Sequence, residues 1–182
     1  VTYIENHLGL GKGEHKILNP TTILKLGKGS TVTLNTTQLG GVDSANRVTK
    51  AVVGEDATLV INEKILTDRF QIAKTNFTVQ LKGYNSKCNI VSRSVARGES
   101  EQVFKSNMIG KNECFGHVEC DGIVLDNSRI SSMPQVSAFD NRASLSHEAA
   151  IGKIASEQII KLRTLGLTET QAEEKIIEGF LR

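Results

Sequence analysis

The sequence predicts a mainly β chain whose short strands stack as successive coils, closed by a small helical appendage. Two observations carry the β part. From about residue 21 to 146 the apolar residues alternate with period two, and a polar or Gly turn leading to a small residue recurs through the same stretch. The third observation is a change to helical periodicity beyond residue 146. These set three units: a flexible lead-in over 1–20, a β core over 21–146 and a helical domain over 147–182.

The lead-in is broken by Gly9, Gly11 and Gly13. Its Gly-Leu-Gly-Lys-Gly run lacks the Gly-Lys-Ser/Thr ending of a phosphate loop, and no clear strand precedes it, so it reads as connecting chain. The core strands are Ile23-Leu24-Lys25-Leu26, Thr31-Val32-Thr33-Leu34, Thr58-Leu59-Val60-Ile61, Phe77-Thr78-Val79-Gln80-Leu81 and Val118-Glu119-Cys120. They are rich in β-branched residues and bounded by Gly, Asn, Asp and Ser. No helical run of crossover length separates them, which excludes an alternating βαβ sheet.

The recurring turn is seen in Gly27-Lys28-Gly29-Ser30, Gly54-Glu55-Asp56-Ala57, Asn85-Ser86-Lys87-Cys88, Gly110-Lys111-Asn112-Glu113-Cys114, Asp126-Asn127-Ser128 and Asp140-Asn141-Arg142-Ala143. A small residue at each corner suits a coil that turns inward. One coil cannot bury its apolar face alone, so coils stack into a solenoid. A β-sandwich shares the short strands and turns, and stands as the alternative.

In the last unit Ser156 is placed to cap a helix bearing Ile159, Leu162 and Leu165, and Gly166 stops it. Thr168-Glu169-Thr170-Gln171 is a capping box, with Leu167 set to staple onto Ala172. A second helix carries Ala172, Ile176, Ile177 and Phe180 on one side. Both helices are short for autonomous stability, so each needs a surface to dock on.

Composition narrows function. The 182 residues carry a net charge of +2, 38% hydrophobic and 23% charged residues. Aromatics are 4% with no Trp, which argues against a base-stacking nucleic-acid platform. No apolar run reaches membrane-spanning length. Three cysteines, Cys88, Cys114 and Cys120, are an odd number at low density, as expected of free thiols in a reducing, cytoplasmic setting.

Four segments and one proline carry a resemblance. Leu145-Ser146-His147-Glu148-Ala149-Ala150 resembles the His-Glu-Ala motif of the SufB/SufD family, scaffolds of iron–sulfur cluster assembly. It is followed in order by Leu165-Gly166-Leu167-Thr168-Glu169 and by Ile176-Ile177-Glu178-Gly179-Phe180, similar to that family's Gly turn and closing Gly-Phe. Upstream, Glu119-Cys120-Asp121 resembles the segment holding the SufB assembly cysteine, and Pro134 falls where the family has a Pro in the next coil. The likeness is strong over about residues 83–182, and the region ahead of it is shorter than is usual in the family.

The resemblance implies a right-handed parallel β-helix with a C-terminal helical domain. It implies a non-enzymatic scaffold closer to SufB than to SufD, on which a transient cluster is built at a core dimer interface. Cys120, Glu148 and His147 would hold the nascent cluster. The implied partners are a second SufB/SufD-like subunit or a second copy, a sulfur donor such as a cysteine desulfurase system, and a SufC-type ABC ATPase through which alone ATP enters. Ile176, Ile177 and Phe180 are the expected ATPase contacts; no membrane or nucleic-acid partner is implied. The second SufB cysteine, which receives sulfur at the far end of the helix, is not placed in this sequence, and Cys88 is not assigned to it. Two other classes stay open on the residues themselves: a purely structural solenoid adaptor, and a polysaccharide-acting solenoid enzyme, which the few aromatics disfavour. Cys114, His117 and Cys120 also invite a zinc reading, although their spacing is not Cys-x-x-Cys.

Overall fold

The computed structural model describes residues 1–10 and 15–182. Gly11, Lys12 and Gly13 of the glycine-rich run therefore lie outside the described residues. The strands are β1 (Thr2–His7), β2 (Ile17–Leu18), β3 (Thr21–Leu26), β4 (Thr31–Leu39), β5 (Ser44–Val53), β6 (Thr58–Thr67), β7 (Ile72–Leu81), β8 (Ser86–Ala96), β9 (Glu101–Gly110), β10 (Cys114–Val124), β11 (Arg129–Ala138) and β12 (Ala143–Gly152). Two helices follow, α1 (Ser156–Thr164) and α2 (Glu169–Phe180).

From β4 onward successive strands alternate between two parallel sheets. The first, sheet A, has the order β1-β4-β6-β8-β10-β12; the second, sheet B, has β11-β9-β7-β5-β2, with β3 also paired to β5. Paired residues such as Thr31 and Thr58, Thr58 and Lys87, Ser86 and Cys114, or Cys114 and Ala143 lie one coil apart, 27 to 29 residues along the chain. Facing, all-parallel sheets joined by short corners make a β-solenoid, and the sandwich alternative is excluded because a sandwich is antiparallel.

The corners explain why the turn motif recurs. Gly29, Asp56 and Asn85 stack above one another with positive φ, and their amides reach the carbonyls of Glu55, Tyr84 and Glu113 in the next coil at 2.8–2.9 Å. Asn85 also donates to Asp56 Oδ1 at 2.8 Å. The small residues form an inward column of Ser30, Ala57, Ser86, Cys114 and Ala143. In the third copy of the motif the corner position is thus Ser86, and Cys88 lies two residues into the strand. Ser30 and Ser86 turn their hydroxyls onto the carbonyls of Gly27 and Gly83, at 2.8 and 2.7 Å. The opposite corner uses Arg69, Gly98 and Asp126 with positive φ.

Alternation fixes which residues enter the core, and the core has two unlike halves. One is apolar: Leu34, Leu59, Ile61, Ile90 and Val118 from sheet A face Val53, Phe77, Val79, Leu81 and Met108 from sheet B. Phe77 and Phe104 pack with tilted rings, centroids 5.8 Å apart. The other half is polar. One inward column of sheet A reads Glu5, Thr36, Glu63, Ser92, Cys120, Ala149, and an inward column of sheet B reads Arg47, Thr75, Phe104, Ser132.

The lead-in departs from expectation. Residues 2–7 are a strand paired with Thr33–Gln38, because Tyr3, Glu5 and His7 continue the inward columns of sheet A. The boundary after residue 146 also moves: Ser146–Gly152 remain strand, in register with His117–Ile123. Pro134 lies in β11, an edge strand of sheet B, where a missing amide is tolerated.

In α1, Ser156 is the first helical residue and Ala155 occupies the cap without a side-chain bond. The box on α2 forms as read, with Gln171 N–H donating to Thr168 Oγ1 at 3.2 Å and Thr168 N–H donating to Gln171 Oε1 at 2.9 Å. Gly166 ends the first helical segment at φ +94°. The helices pack on each other, and Lys64 donates to the Arg182 carbonyl, tying the far end of α2 to the outer face of sheet A. Among the described residues no helix is long and apolar enough to cross a membrane.

Candidate functional site

Alternation along β10 decides what the proposed ligands can share. Cys114, Gly116, Val118 and Cys120 point inward; Phe115, His117, Glu119 and Asp121 point outward. The zinc reading fails on this parity, since His117 faces away from both cysteines.

Cys120 is 1% exposed and lies between Ser92 of β8 and Ala149 of β12. Burial, then the carboxylates of Glu63 and Asp121, push its thiol up to about 11, and the nearby Ser132 hydroxyl offsets only part of this. In this state the sulfur is a protonated thiol, and becoming a ligand requires it to give up that proton. Burial raises Cys88 and Cys114 as well.

Glu148 stands on the outward face, beside His117: Nε2 and Oε1 are 3.7 Å apart, and the Glu148 side chain is largely exposed. His117 Nδ1 is 2.9 Å from Ser146 Oγ. Glu119 is paired with Glu148 across the two strands, and its carboxyl is raised by burial and by Asp121, with a lesser push from Glu148. His147 is exposed and opposite Val118, on the inward side of β12.

The structure therefore brings Glu148 to His117 and Glu119, and leaves Cys120 on the other face of the same sheet. Among the described residues no three His, Cys, Asp or Glu side chains converge as a metal-ligand group within one chain. All three expected residues do lie at one end of the solenoid. β11 and β12 are edge strands there, and Met133, Val136, Phe139 and Ile151 are exposed beside them.

Sequence reading grouped His117 with the cysteines and missed that it shares an outward face with Glu119 and Asp121. Counting residues two by two from Cys120 assigns their face. It also missed an ionic group at the other end. Arg47 donates to Glu5 Oε2 at 2.5 Å and contacts His7 Nδ1 at 2.6 Å, with its Nε 3.7 Å from Glu63 Oε1. Glu63 accepts from Thr75 at 3.0 Å and Ser92 at 2.8 Å. Arg47 stands in an inward series with Ala45, Thr49, Ala51 and Val53, the signal that could have revealed it.

On the helices, Ile177 is 6% exposed and Ile176 and Phe180 are half-buried, so this side of α2 is largely spent on internal packing. The apolar side chains left open are Ile160 at 58% and Leu165 at 72%.

Comparison with known proteins completes the case. Residues 6–180 match the family model described as SUF system FeS cluster assembly, SufBD core domain. A protein of Archaeoglobus fulgidus named "Iron-sulfur cluster assembly SufBD family protein" is 34% identical over 166 residues, covering 90% of this chain and 45% of the relative. Proteins of the same family name from Methanocaldococcus jannaschii and Pyrococcus horikoshii are 31% and 30% identical over 170 residues, covering 91% and 92% of this chain and 53% and 38% of the relatives. The chain thus spans about half the length, or less, of these curated relatives. With a family model matched along nearly its whole length and a solenoid built as the motifs required, the chain belongs to the SufBD core family of SUF-system iron–sulfur cluster assembly.

Proposed function

We propose that this chain is a scaffold on which a nascent iron–sulfur cluster is assembled as cargo, and that it is not an enzyme by itself. The observation that carries this reading is Cys120, a buried thiol one strand in from the open edge at β12, within a chain of the SufBD core family. Fe–S clusters are held chiefly by thiolates with occasional imidazole, and carboxylates suit incoming iron. Cys120 is the cluster thiolate, and Glu148 and His147 serve the same cluster. The Cys-Asp pair at Cys120-Asp121 favours the SufB-like role.

One chain does not gather these groups, and the reading assigns the remainder to a second copy or a SufD-like subunit. Its contact covers the edges of β11 and β12 with Met133, Val136 and Phe139. Uncovered strand edges invite pairing, and a two-fold contact would be isologous. Sulfur comes from a cysteine desulfurase system. The energy source is ATP hydrolysed by a SufC-type ABC ATPase docked on the helix pair.

The test is Cys120→Ala, a near-isosteric change in a strand. After anaerobic incubation with iron and sulfide, absorbance and Mössbauer spectra are expected to show a cluster in the wild type and none in the variant, at unchanged circular dichroism. Cys88→Ala should retain the cluster. Equal cluster yield in wild type and Cys120→Ala removes the assignment and leaves the adaptor reading.

The ATPase contact is tested separately. Internal packing of Ile177 moves the expected contact to Ile160 and Leu165, with the rim of Ile176 and Phe180. The pair Ile160→Asp and Leu165→Asp should weaken ATPase binding by about tenfold or more in calorimetry, at an unchanged melting temperature, since both side chains are exposed. Full-strength binding by this variant would place the contact elsewhere.

A further inference from the structure

The register between β10 and β12 places beside Glu148 a histidine that has no part in the cluster chemistry described so far. His117 stands directly opposite Ser146, and Glu148 follows two residues along β12 on the same outward face. The imidazole reaches both residues: Nδ1 is 2.9 Å from Ser146 Oγ, and Nε2 is 3.7 Å from Glu148 Oε1. The two side chains differ in freedom, since His117 is 19% exposed and Glu148 is 73% exposed. A ring held at one nitrogen by Ser146 thus stands next to a carboxylate on the open surface. Asn89, the register neighbour of His117 on β8, makes no hydrogen bond to the ring.

What Glu148 meets across the strand pair explains the contact. Directly opposite it is Glu119, and like charges in that position repel. Its diagonal neighbours on β10 are Asp121 on one side, also an acid, and His117 on the other. With strands about 4.8 Å apart and alternate residues about 6.7 Å apart, a diagonal neighbour is roughly 8 Å away along the backbone, within reach of these side chains. His117 is therefore the neighbour on β10 towards which the carboxylate turns. With the Ser146 hydroxyl donating to Nδ1, the ring proton lies on Nε2, the atom that faces Glu148.

We propose that His117 is a positioning residue for Glu148, drawing its carboxylate away from Glu119 and holding it for incoming iron. The inference rests on the scaffold reading, in which Glu148 serves the nascent cluster. Ser146 fixes the ring, and the ring fixes the carboxylate, so the chain of contacts runs Ser146, His117, Glu148. His117 acts through Glu148 and does not itself take the iron. Carboxylates that ligate a metal are themselves held by hydrogen-bonding partners, and removal of such a partner typically costs about 10–100-fold in metal affinity. An exposed Glu148 without His117 would instead sample many rotamers, and ordering it for each arriving ion would cost side-chain entropy.

The test uses the full chain with iron(II) as the probe, its affinity measured anaerobically by competition with a chelating dye and the melting temperature recorded beside it. His117→Phe keeps a ring of similar shape without an N–H, and is expected to bind iron about tenfold or more weakly at an unchanged melting temperature. His117→Gln restores a donor within reach of Glu148, and should return the affinity to within about threefold of wild type. Asn89→Ala, on the other side of the ring, should bind as wild type does. A purely structural role for His117 predicts the reverse order, with Phe tolerated and any loss following the melting temperature. Wild-type affinity in His117→Phe, or equal losses in the Phe and Gln variants, would overturn the proposal. Glu148→Gln separates this from failure of the reading beneath it. If Glu148→Gln loses iron while His117→Phe does not, only the positioning role falls. If Glu148→Gln binds as wild type does, or wild type binds no iron, Glu148 is no iron ligand and both fall.

Discussion

Arg47→Ala is expected to destabilise the chain by about 3–5 kcal/mol at neutral pH, the loss typical when one partner of a buried ion pair is removed and the other is left uncompensated. The Arg47 side chain is 5% exposed and joins Glu5 with Glu63, whose side chains are 11% and 1% exposed. The two carboxyls respond oppositely. Burial pushes Glu5 upward, but the hydrogen bond and charge of Arg47 outweigh it and leave the group below its usual value. For Glu63 burial prevails over Arg47, Ser92 and Thr75, and the group stays raised. Glu5 therefore contributes stability present above its unfolded value and lost as pH falls through its folded one. Glu63 acts with the other sign: between its unfolded and folded values the folded chain holds the extra proton, and stability falls as pH rises through that window.

Removing Arg47 strips both carboxyls of their counter-charge, so the loss should shrink in acid, where they can be protonated. Arg47→Leu combined with Glu63→Leu should recover much of it, because well-packed apolar replacements of a buried pair are often neutral or better. Urea titrations at neutral and acid pH measure both effects. A loss below about 1 kcal/mol in Arg47→Ala would mean that the pair is as weak as a solvated surface one.

That ionic group marks where legibility in the sequence ended. The turn motif located one corner column correctly, because Gly29, Asp56 and Asn85 are residue types that tolerate positive φ. The opposite corner was harder to see, since Arg69 takes the same conformation in a residue type that advertises nothing. Period two located the strands, yet the first strand was missed because Glu5 and His7 stand where apolar residues were sought. Their partner Arg47 is distant in sequence and becomes a neighbour only when the coils stack. For the proposed cluster ligands the sequence holds the residue identities and not their geometry. Cys120 and Glu148 fall on opposite faces because the register pairs Cys120 with Ala149, one residue along from Glu148, and successive strand residues point to opposite faces; that register is absent from the sequence. On the helices, the capping box was readable because both partners are local, whereas burial of Ile177 depends on what α2 packs against.

Phe77→Ala is the second large effect expected, also about 3–5 kcal/mol, from lost transfer energy plus the cavity left behind. Phe77 is 2% exposed and touches Phe104 of the next coil in sheet B. It sits in β7, midway along the stack, between β5 and β9. Stability in a solenoid is close to a sum of each coil and its interfaces with its neighbours, so a central coil bears on two interfaces where a terminal coil bears on one. The comparison is Met133→Ala on the edge strand β11: that side chain is 50% exposed and should cost less than about 1 kcal/mol. In urea, Phe77→Ala should lower the midpoint with the slope preserved if the coils melt together. A smaller slope would instead show that the weakened central coil lets the two ends unfold separately, because the slope scales with the surface exposed in the transition. A loss near that of Met133→Ala, with no change of slope, would show that the apolar half of the core collapses to fill the space and is not the rigid part of the coil stack.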